Sequence, residues 1–219
     1  STIDYFIDTG TEQFTIVGKI YNSVKMRILE RRVKKLQKDF IEINRILNNY
    51  YDDFNGFVHE KIFPLVLEGL MNDAQDEKVE FLINGFKNVV INKIREEDKI
   101  IAYYDVLKET RVNDLLRLLE YTNEYKRWKN ELRRERLRKK LPLDEEIQEN
   151  SFKEKGYNKY IDTKLERLGL IESRDFENFR ENFNRATRGL RSNNHNDGPE
   201  LTAFGRAFID FYNLTEKIR

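Results

Sequence analysis

The segment KLERLGLI, residues 164–171, decides the fold of the carboxyl-terminal part of the chain. Upstream of it, apolar and aromatic side chains recur at helical spacing: Tyr157, Tyr160, Ile161, Leu165 and Leu168. Gly169 then predicts a left-handed C-cap, because glycine adopts positive φ without a steric penalty. Leu170 and Ile171 follow directly and predict a short strand that plugs the core. The segment therefore predicts a helix that ends at a glycine and leads into a small two-stranded flap.

A second motif, ELTAFGRAF at residues 200–208, predicts how that flap closes. Thr202 is typical of an N-cap, and Gly205 would let the last helix approach its neighbour closely. The apolar side of this closing helix is predicted to be Phe204, Phe208, Phe211 and Leu214. At the other end of the module, Ser151 and Glu154 have the spacing of a capping box, which predicts a helix that begins at Ser151.

These two motifs resemble the second half of bacterial winged-helix domains. In that fold the recognition helix ends at a glycine, a hydrophobic pair opens the wing, and a Leu-Thr-x-x-Gly-Arg turn leads into the final helix. The resemblance implies a winged-helix module over residues 151–219. The whole chain is also similar to the Abi-alpha type of bacterial proteins, which are associated with abortive phage infection. That similarity implies a role in phage defence or regulation.

A heptad pattern dominates the amino-terminal part. Its members alternate in steps of three and four residues: Met26, Leu29, Val33, Leu36, Phe40, Ile43, Leu47, Tyr50 and Phe54. A helix that begins at about Thr11 and carries this seam would be longer than ~60 Å at 1.5 Å per residue, so it must pack along most of its length. Either it dimerises, or it forms the spine of an intramolecular bundle. We favour the bundle because Phe40, Tyr50 and Phe54 are bulky for a two-stranded coiled coil.

Three shorter amphipathic segments follow the seam, at about residues 57–71, 76–94 and 96–110. Pro64 either begins the regular part of the first segment or kinks it. The predicted fold class is therefore mainly α, with a long-helix bundle followed by a small winged-helix (α+β) module. We expect the bundle over residues 1–125, a basic and acidic connection over residues 126–150, and the module over residues 151–219.

Residues 126–140 hold nine Lys and Arg but only two Glu. In a helix, Trp128 and Leu132 are expected to pack inward and to leave a basic face outward. Phosphate neutralisation by such a face would make binding strongly salt-dependent. The alternative is a solvated helix whose charges are balanced by acidic segments elsewhere.

The candidate nucleic-acid-binding residues fall into three groups. The basic segment contributes Lys126, Arg127, Lys129, Arg133, Arg136 and Lys140. The recognition helix contributes Lys159, Lys164 and Arg167, and the wing contributes Arg185, Arg188 and Arg191. Asp162 and Glu166 interrupt the recognition helix, and they would repel phosphates if they share its outward surface.

Composition narrows the chemistry more than it identifies a partner. The chain has 219 residues and 40 Lys and Arg against 39 Asp and Glu, so it carries no strong global field. The lack of Cys excludes thiol catalysis and Cys-ligated metals. Only His59 and His195 exist, and we interpret the first as a helix-surface residue and the second as a loop residue. We therefore expect no enzymatic activity, no cofactor and no metal.

No window of the sequence reaches the eighteen apolar residues typical of a membrane span, and no secretory leader is recognisable. The expectation is a non-enzymatic cytoplasmic protein whose winged-helix-like module contacts nucleic acid, with double-stranded DNA as the partner. The alternative is a structural protein in which the heptad helix forms a homodimer and the module docks only another protein. Light scattering and DNA binding would separate these alternatives.

Overall fold

The structure, a computed structural model, describes residues 23–49, 53–138, 147–173 and 199–218. Over these residues the chain is mainly helical, with one small sheet. The first helices are α1 (Ser23–Lys35), α2 (Gln37–Leu47), α3 (Phe54–Phe57), α4 (Phe63–Asn72), α5 (Val79–Ile91) and α6 (Glu97–Glu109). They are followed by α7 (Val112–Leu119), α8 (Asn123–Arg138), α9 (Ile147–Arg167), β1 (Ile171–Glu172), β2 (Glu200–Leu201) and α10 (Ala203–Tyr212).

The chain divides into two compact units. The first runs up to Val112 and includes residues 211–213. The second runs from Asn113 to Asp210 and resumes at Leu214. The basic helix α8 therefore belongs to the second unit. These limits differ from the sequence-based boundaries at residues 125 and 150, which remain predictions.

The heptad seam is buried inside the first unit. Its side chains from α1 to α3 are at most 5% exposed: Leu29, Val33, Leu36, Phe40, Ile43, Leu47 and Phe54. Helix α1 packs on α4 and α2 packs on α5, so the seam faces other helices of its own chain. Met26 is half-buried, and Tyr50 lies outside the described residues. This burial favours the intramolecular bundle over a dimer built on the seam.

The single long helix is not confirmed, because α1 and α2 are separate. Leu36 lies between them with φ −94° and ψ 13°. Hydrogen bonds still pass through the junction, since the Leu36 N–H donates to the Arg32 carbonyl and the Phe40 N–H donates to the Leu36 carbonyl. The helix register is therefore almost kept, which explains why the heptad spacing remains buried on both sides. Residues before Ser23, where the helix was expected to begin, lie outside the described range.

The three amphipathic segments after the seam form helices close to the predicted ranges. A π-helical turn at Val58–Ile62 precedes α4, and Pro64 sits in the first turn of α4. Proline is tolerated there because a first-turn N–H needs no partner within the helix. Of the two readings of Pro64, the structure thus supports a helix start. A short 3₁₀ turn at Asp76–Lys78 similarly leads into α5.

Helix α9 begins at Ile147, so the predicted start at Ser151 is wrong. Ser151 continues a helix instead of capping it, because residues before it already have helical backbone. The predicted end of α9 is confirmed. Gly169 has φ +71°, its N–H donates to the Glu166 carbonyl, and the Leu170 N–H donates to the Leu165 carbonyl. This pair of bonds is a Schellman C-cap.

The predicted two-stranded sheet also forms. Strands β1 and β2 are antiparallel, with Ile171 opposite Leu201. The Thr202 hydroxyl accepts a hydrogen bond from the Gly205 N–H at 2.8 Å, which confirms the N-cap of α10. A Cβ on Gly205 would lie 2.0 Å from the Leu170 carbonyl oxygen. Only glycine therefore fits at that contact between the last helix and the glycine exit.

The end of α10 contributes to the core of the first unit. The Phe211 ring lies 4.7 Å from the Tyr103 ring, and the Tyr212 ring lies 5.8 Å from the Tyr104 ring, both between centroids. Tyr212 is fully buried, and a Cβ on Gly85 would lie 2.5 Å from its ring. The closing helix was predicted to bury Phe204, Phe208, Phe211 and Leu214; the last three are buried, and Phe204 is half-buried. Tyr212 and Ile209, which were not predicted, are buried as well.

Candidate nucleic-acid interface

Helix α8 begins at a cap supplied by Thr122. The Thr122 hydroxyl accepts a hydrogen bond from the Tyr125 N–H at 3.2 Å and donates to the Leu119 carbonyl at 2.6 Å. Thr122 is 4% exposed, so the helix is anchored at its first turn. Beyond that turn the surroundings change, because every side chain from Lys126 to Glu135 is exposed. Most of α8 is therefore a solvated helix that contributes little to the core.

The exposed cations of α8 form no ion pair with any residue that the structure describes. They are Lys126, Arg127, Lys129, Arg133, Arg134 and Arg138. Cations on other helices behave differently: Lys87 pairs with Asp39 and Glu42, and Lys108 pairs with Glu68. The hypothesis that acidic segments elsewhere balance the basic helix is thus not supported over the described ranges.

The residues of α8 are sorted by helical spacing into distinct stripes. Lys126, Lys129 and Arg133 recur in steps of three and four and share one face. Tyr125, Trp128 and Leu132 follow the same steps and form a neighbouring apolar stripe. The expectation that Trp128 and Leu132 pack inward is wrong, since they are 42% and 36% exposed. The physical reason is that this part of α8 lies at the surface, where every side chain from Lys126 to Glu135 is exposed.

Helix α9 has one buried and one outward side. Ile161 and Leu165 are buried on the inner side. The outward side carries exposed polar and basic side chains: Lys155, Lys159, Thr163 and Arg167. Tyr160 is 60% exposed beside them. This side thus combines three cations with a hydroxyl and an aromatic ring.

Asp162 does not belong to the outward side. Its two carboxylate oxygens each accept a hydrogen bond of 2.8 Å from the Arg117 guanidinium, and Oδ1 also accepts one of 2.6 Å from the Tyr121 hydroxyl. The hydrogen bond that Arg117 donates to Asp162 raises the pKa of Arg117, and burial together with the bond that Tyr121 donates to the same carboxylate raises the pKa of Tyr121. The negative charge of Asp162 is therefore neutralised within the second unit.

Lys164 is likewise turned inward. Its ammonium lies 2.6 Å from Asp114 Oδ2, and the two side chains are 15% and 2% exposed. Lys164 is thus engaged in holding α9 on α7 and is not available to a ligand on the outward side. Glu166 is exposed, and its Oε1 accepts a hydrogen bond from the Ser173 N–H at 3.2 Å. It is the acid that remains near the outward side.

The structure describes only some of the other predicted binding residues. The backbone of Arg136 lies in α8. Lys140, Arg185, Arg188 and Arg191 lie outside the described residues. Three exposed cations of α8 and α9 were not predicted: Arg134, Arg138 and Lys155. Lys155 could have been found from its spacing, since it precedes Lys159 by one helical turn.

A pocket of about 640 Å³ lies in the first unit, between α4, α5 and α6. At its wall, the Lys78 ammonium lies 2.5 Å from Asp73 Oδ2, and Lys78 is 2% exposed. Each charge satisfies the other, so the pair is explained by the fold itself. Among the described residues no cluster of three or more His, Asp or Glu side chains is placed to hold a metal ion.

No helix within the described ranges is both long and apolar enough to cross a bilayer. Comparison with protein-family models, with curated proteins and with solved structures yields no match to this chain.

Proposed function

We propose that this protein binds the phosphate backbone of nucleic acid through its second unit. The observation that carries the proposal is the set of exposed cations on α8, which form no ion pair within the described ranges. Residues 126–138 hold seven Lys and Arg against two Glu, although the whole chain has a net charge of only +1. A helix that concentrates positive charge without internal partners retains its full attraction for an external polyanion.

The outward side of α9 supports the same proposal. Lys155, Lys159 and Arg167 supply the charge that a phosphate backbone attracts. Of the two acids that were expected to repel phosphates, Asp162 accepts hydrogen bonds from Arg117 and is turned inward, whereas Glu166 stays exposed. The cation Lys164 is lost to this side because it pairs with Asp114. Duplex DNA is the substrate we propose for this surface.

A winged-helix reading of the second unit belongs to the proposal. It is supported by the glycine exit of α9, by the pairing of β1 with β2 and by the close contact at Gly205. These features follow the order that the resemblance implies. The setting suggested by that resemblance, phage defence or regulation, and a cytoplasmic, non-enzymatic role are part of the same proposal.

A homodimer through the heptad seam is not part of it. The seam residues are buried against α4 and α5 of the same chain, so they cannot serve a second copy without unfolding the first unit. Docking of another protein on the second unit is the outcome to expect if nucleic acid does not bind.

Fluorescence anisotropy with a labelled duplex of random sequence, repeated across a salt series, tests the proposal. The log of the affinity should fall with log salt by about 0.9 for each phosphate contacted. Replacing Lys126, Lys129 and Arg133 by Gln should reduce that slope by about 2 to 3 and weaken binding. The matched control replaces Lys34, Lys38 and Arg45, three exposed cations of the first unit, by Gln. Absence of binding at low salt, or an equal loss in both triple variants, would contradict the proposal.

A further inference from the structure

We infer that the aromatic stripe of α8 is a stacking platform for the bases of a single-stranded nucleic acid. This inference rests on the proposed function and specifies its substrate at α8. The platform consists of Tyr125 and Trp128, extended by Leu132. The basic stripe beside it, Lys126, Lys129 and Arg133, would follow the backbone of the same strand.

The Trp128 ring and the side chain of Leu132 in this platform are exposed to solvent. Trp128 is 42% exposed although tryptophan is among the most strongly buried side chains on average. Its ring centroid lies 5.4 Å from that of Tyr125, at an interplanar angle of 44°. Leu132, at 36% exposed, continues the stripe by one turn. A contiguous exposed stripe of this kind marks an interaction surface in most proteins.

The platform is anchored to the body of the second unit through Tyr125. Tyr125 is half-buried, and its N–H donates to the buried Thr122 hydroxyl. Burial raises the pKa of Tyr125, so the phenol stays neutral over the physiological range. The rings are therefore carried by the capped first turns of a helix, which limits their loss of freedom when a base stacks on them.

The two flanks of the aromatic stripe carry opposite charge. At 100° per residue the stripe of Tyr125, Trp128 and Leu132 has Lys129 and Arg133 on one flank. Glu131 and Glu135 lie on its other flank. One flank attracts a phosphate backbone and the other repels it. The stripe can thus accept one strand with its bases over the rings, whereas a duplex can contact only the basic flank, through its backbone.

The accessibility of the base faces also favours a single strand over a duplex as the ligand of this platform. In a duplex the bases are stacked on one another, so their faces are not available to a protein ring. In a single strand they are available, and every base can stack because each has a π-face. A platform with cations along one edge is the combination that single-strand-binding proteins use.

The experiment exploits the composition of the chain, because Trp128 is its single tryptophan. Its fluorescence therefore reports on this platform alone. Full-length protein is titrated with oligothymidine of about 16 nucleotides, the upper range of a single binding site. The expected result is quenching that saturates with oligothymidine, and a much smaller change with a duplex of the same length.

Labelled oligonucleotides then measure affinity in the variants. Trp128→Ala should weaken oligothymidine binding between about 5-fold and 150-fold, the loss expected for one stacked base, and should weaken duplex binding much less. The control is Leu116→Ala, which removes an apolar side chain of α7 that is 50% exposed. It should change oligothymidine affinity by less than about twofold.

The possible outcomes separate the two proposals. If the wild type binds duplex but oligothymidine neither quenches Trp128 nor responds to Trp128→Ala, the stacking inference is overturned and the proposed function stands. If the wild type binds neither probe at low salt, both are overturned. Equal losses for the two probes in Trp128→Ala would also overturn the inference, because stacking on a base requires an open strand.

Discussion

Arg117 holds Asp162 with two hydrogen bonds of 2.8 Å, one from Nε and one from Nη2, across 45 residues of sequence. This fork joins α7 to α9 and sets the rotation of α9 about its axis. With Asp162 turned to α7, the helix presents Lys159 and Thr163 to the outside. The character of the outward surface thus depends on an internal contact.

Loss of this fork should destabilise the protein. Arg117→Ala leaves the largely buried Asp162 carboxylate with the Tyr121 hydroxyl as its remaining partner from this cluster. Hydrogen bonds to charged groups contribute about 1.5–3 kcal/mol, so the free energy of unfolding should fall by that amount. Urea denaturation followed by circular dichroism measures it. Arg127→Ala, at an exposed arginine without an ion pair in the described ranges, should change stability by less than about 0.5 kcal/mol.

The glycine at the start of α10 should not tolerate even a methyl group. In Gly205→Ala the new Cβ would lie 2.0 Å from the backbone oxygen of Leu170, so the glycine exit or the last helix must move. A cost of about 2–4 kcal/mol is expected in thermal or chemical denaturation. Gly156→Ala is the matched control, because nothing lies within 4 Å of a Cβ there and alanine favours the helix. Similar stabilities of the two variants would show that the close approach is absent.

The burial of the heptad seam can be tested at Phe40, which is 2% exposed. Its ring forms an edge-to-face pair with the ring of Phe63, with the centroids 6.3 Å apart. Phe40→Ala should lower the free energy of unfolding by about 3–5 kcal/mol. The neighbouring Ile41→Ala, at a side chain that is 51% exposed, should cost less than about 1 kcal/mol.

The same experiment distinguishes a bundle from a dimer. If the seam is internal to one chain, the unfolding midpoint of the wild type is independent of protein concentration. A midpoint that rises with protein concentration would point to an intermolecular seam, because the dimer would then stabilise the folded state by mass action.

His59 should give the first unit a pH-dependent stability. Burial lowers the pKa of its imidazole below the ordinary value of 6.5, because the charged form is poorly solvated there. As the pH falls below 6.5, the unfolded chain binds a proton that the folded chain resists, so stability falls with pH in that window. His59→Gln should flatten the dependence between about pH 7 and pH 5 in urea titrations. An unchanged slope would mean that His59 titrates alike in both states.

Several structural features could be read from the sequence because local chemistry controls them. Gly169 ends α9 through hydrogen bonds that span three and five residues, and Thr202 caps α10 through one that spans three. Glycine at positive φ and a hydroxyl at a helix start satisfy backbone groups whatever the rest of the fold does. The heptad seam was predictable for a related reason, since its apolar face has to be buried.

The start of α9 was not predictable from its capping box. The Ser151 and Glu154 spacing matches a helix start, yet the structure continues the helix back to Ile147. A capping box shows that a cap can form, but a helix stops only where continuation is less favourable. The residues before Ser151 therefore continue the helix despite the capping-box pattern.

Some features of the candidate interface were likewise set by local sequence, and others by tertiary contacts. Sequence alone determined that α8 is basic, that Lys126, Lys129 and Arg133 share a face, and that a glycine exit leads from α9 into a strand pair. The tertiary structure decided which side chains remain outward: Lys164 and Asp162 are held by residues 50 and 45 positions away, and Trp128 stays 42% exposed. The reason is that caps and stripes depend on neighbours within two turns, whereas desolvation and ion pairing depend on whichever distant segment packs alongside.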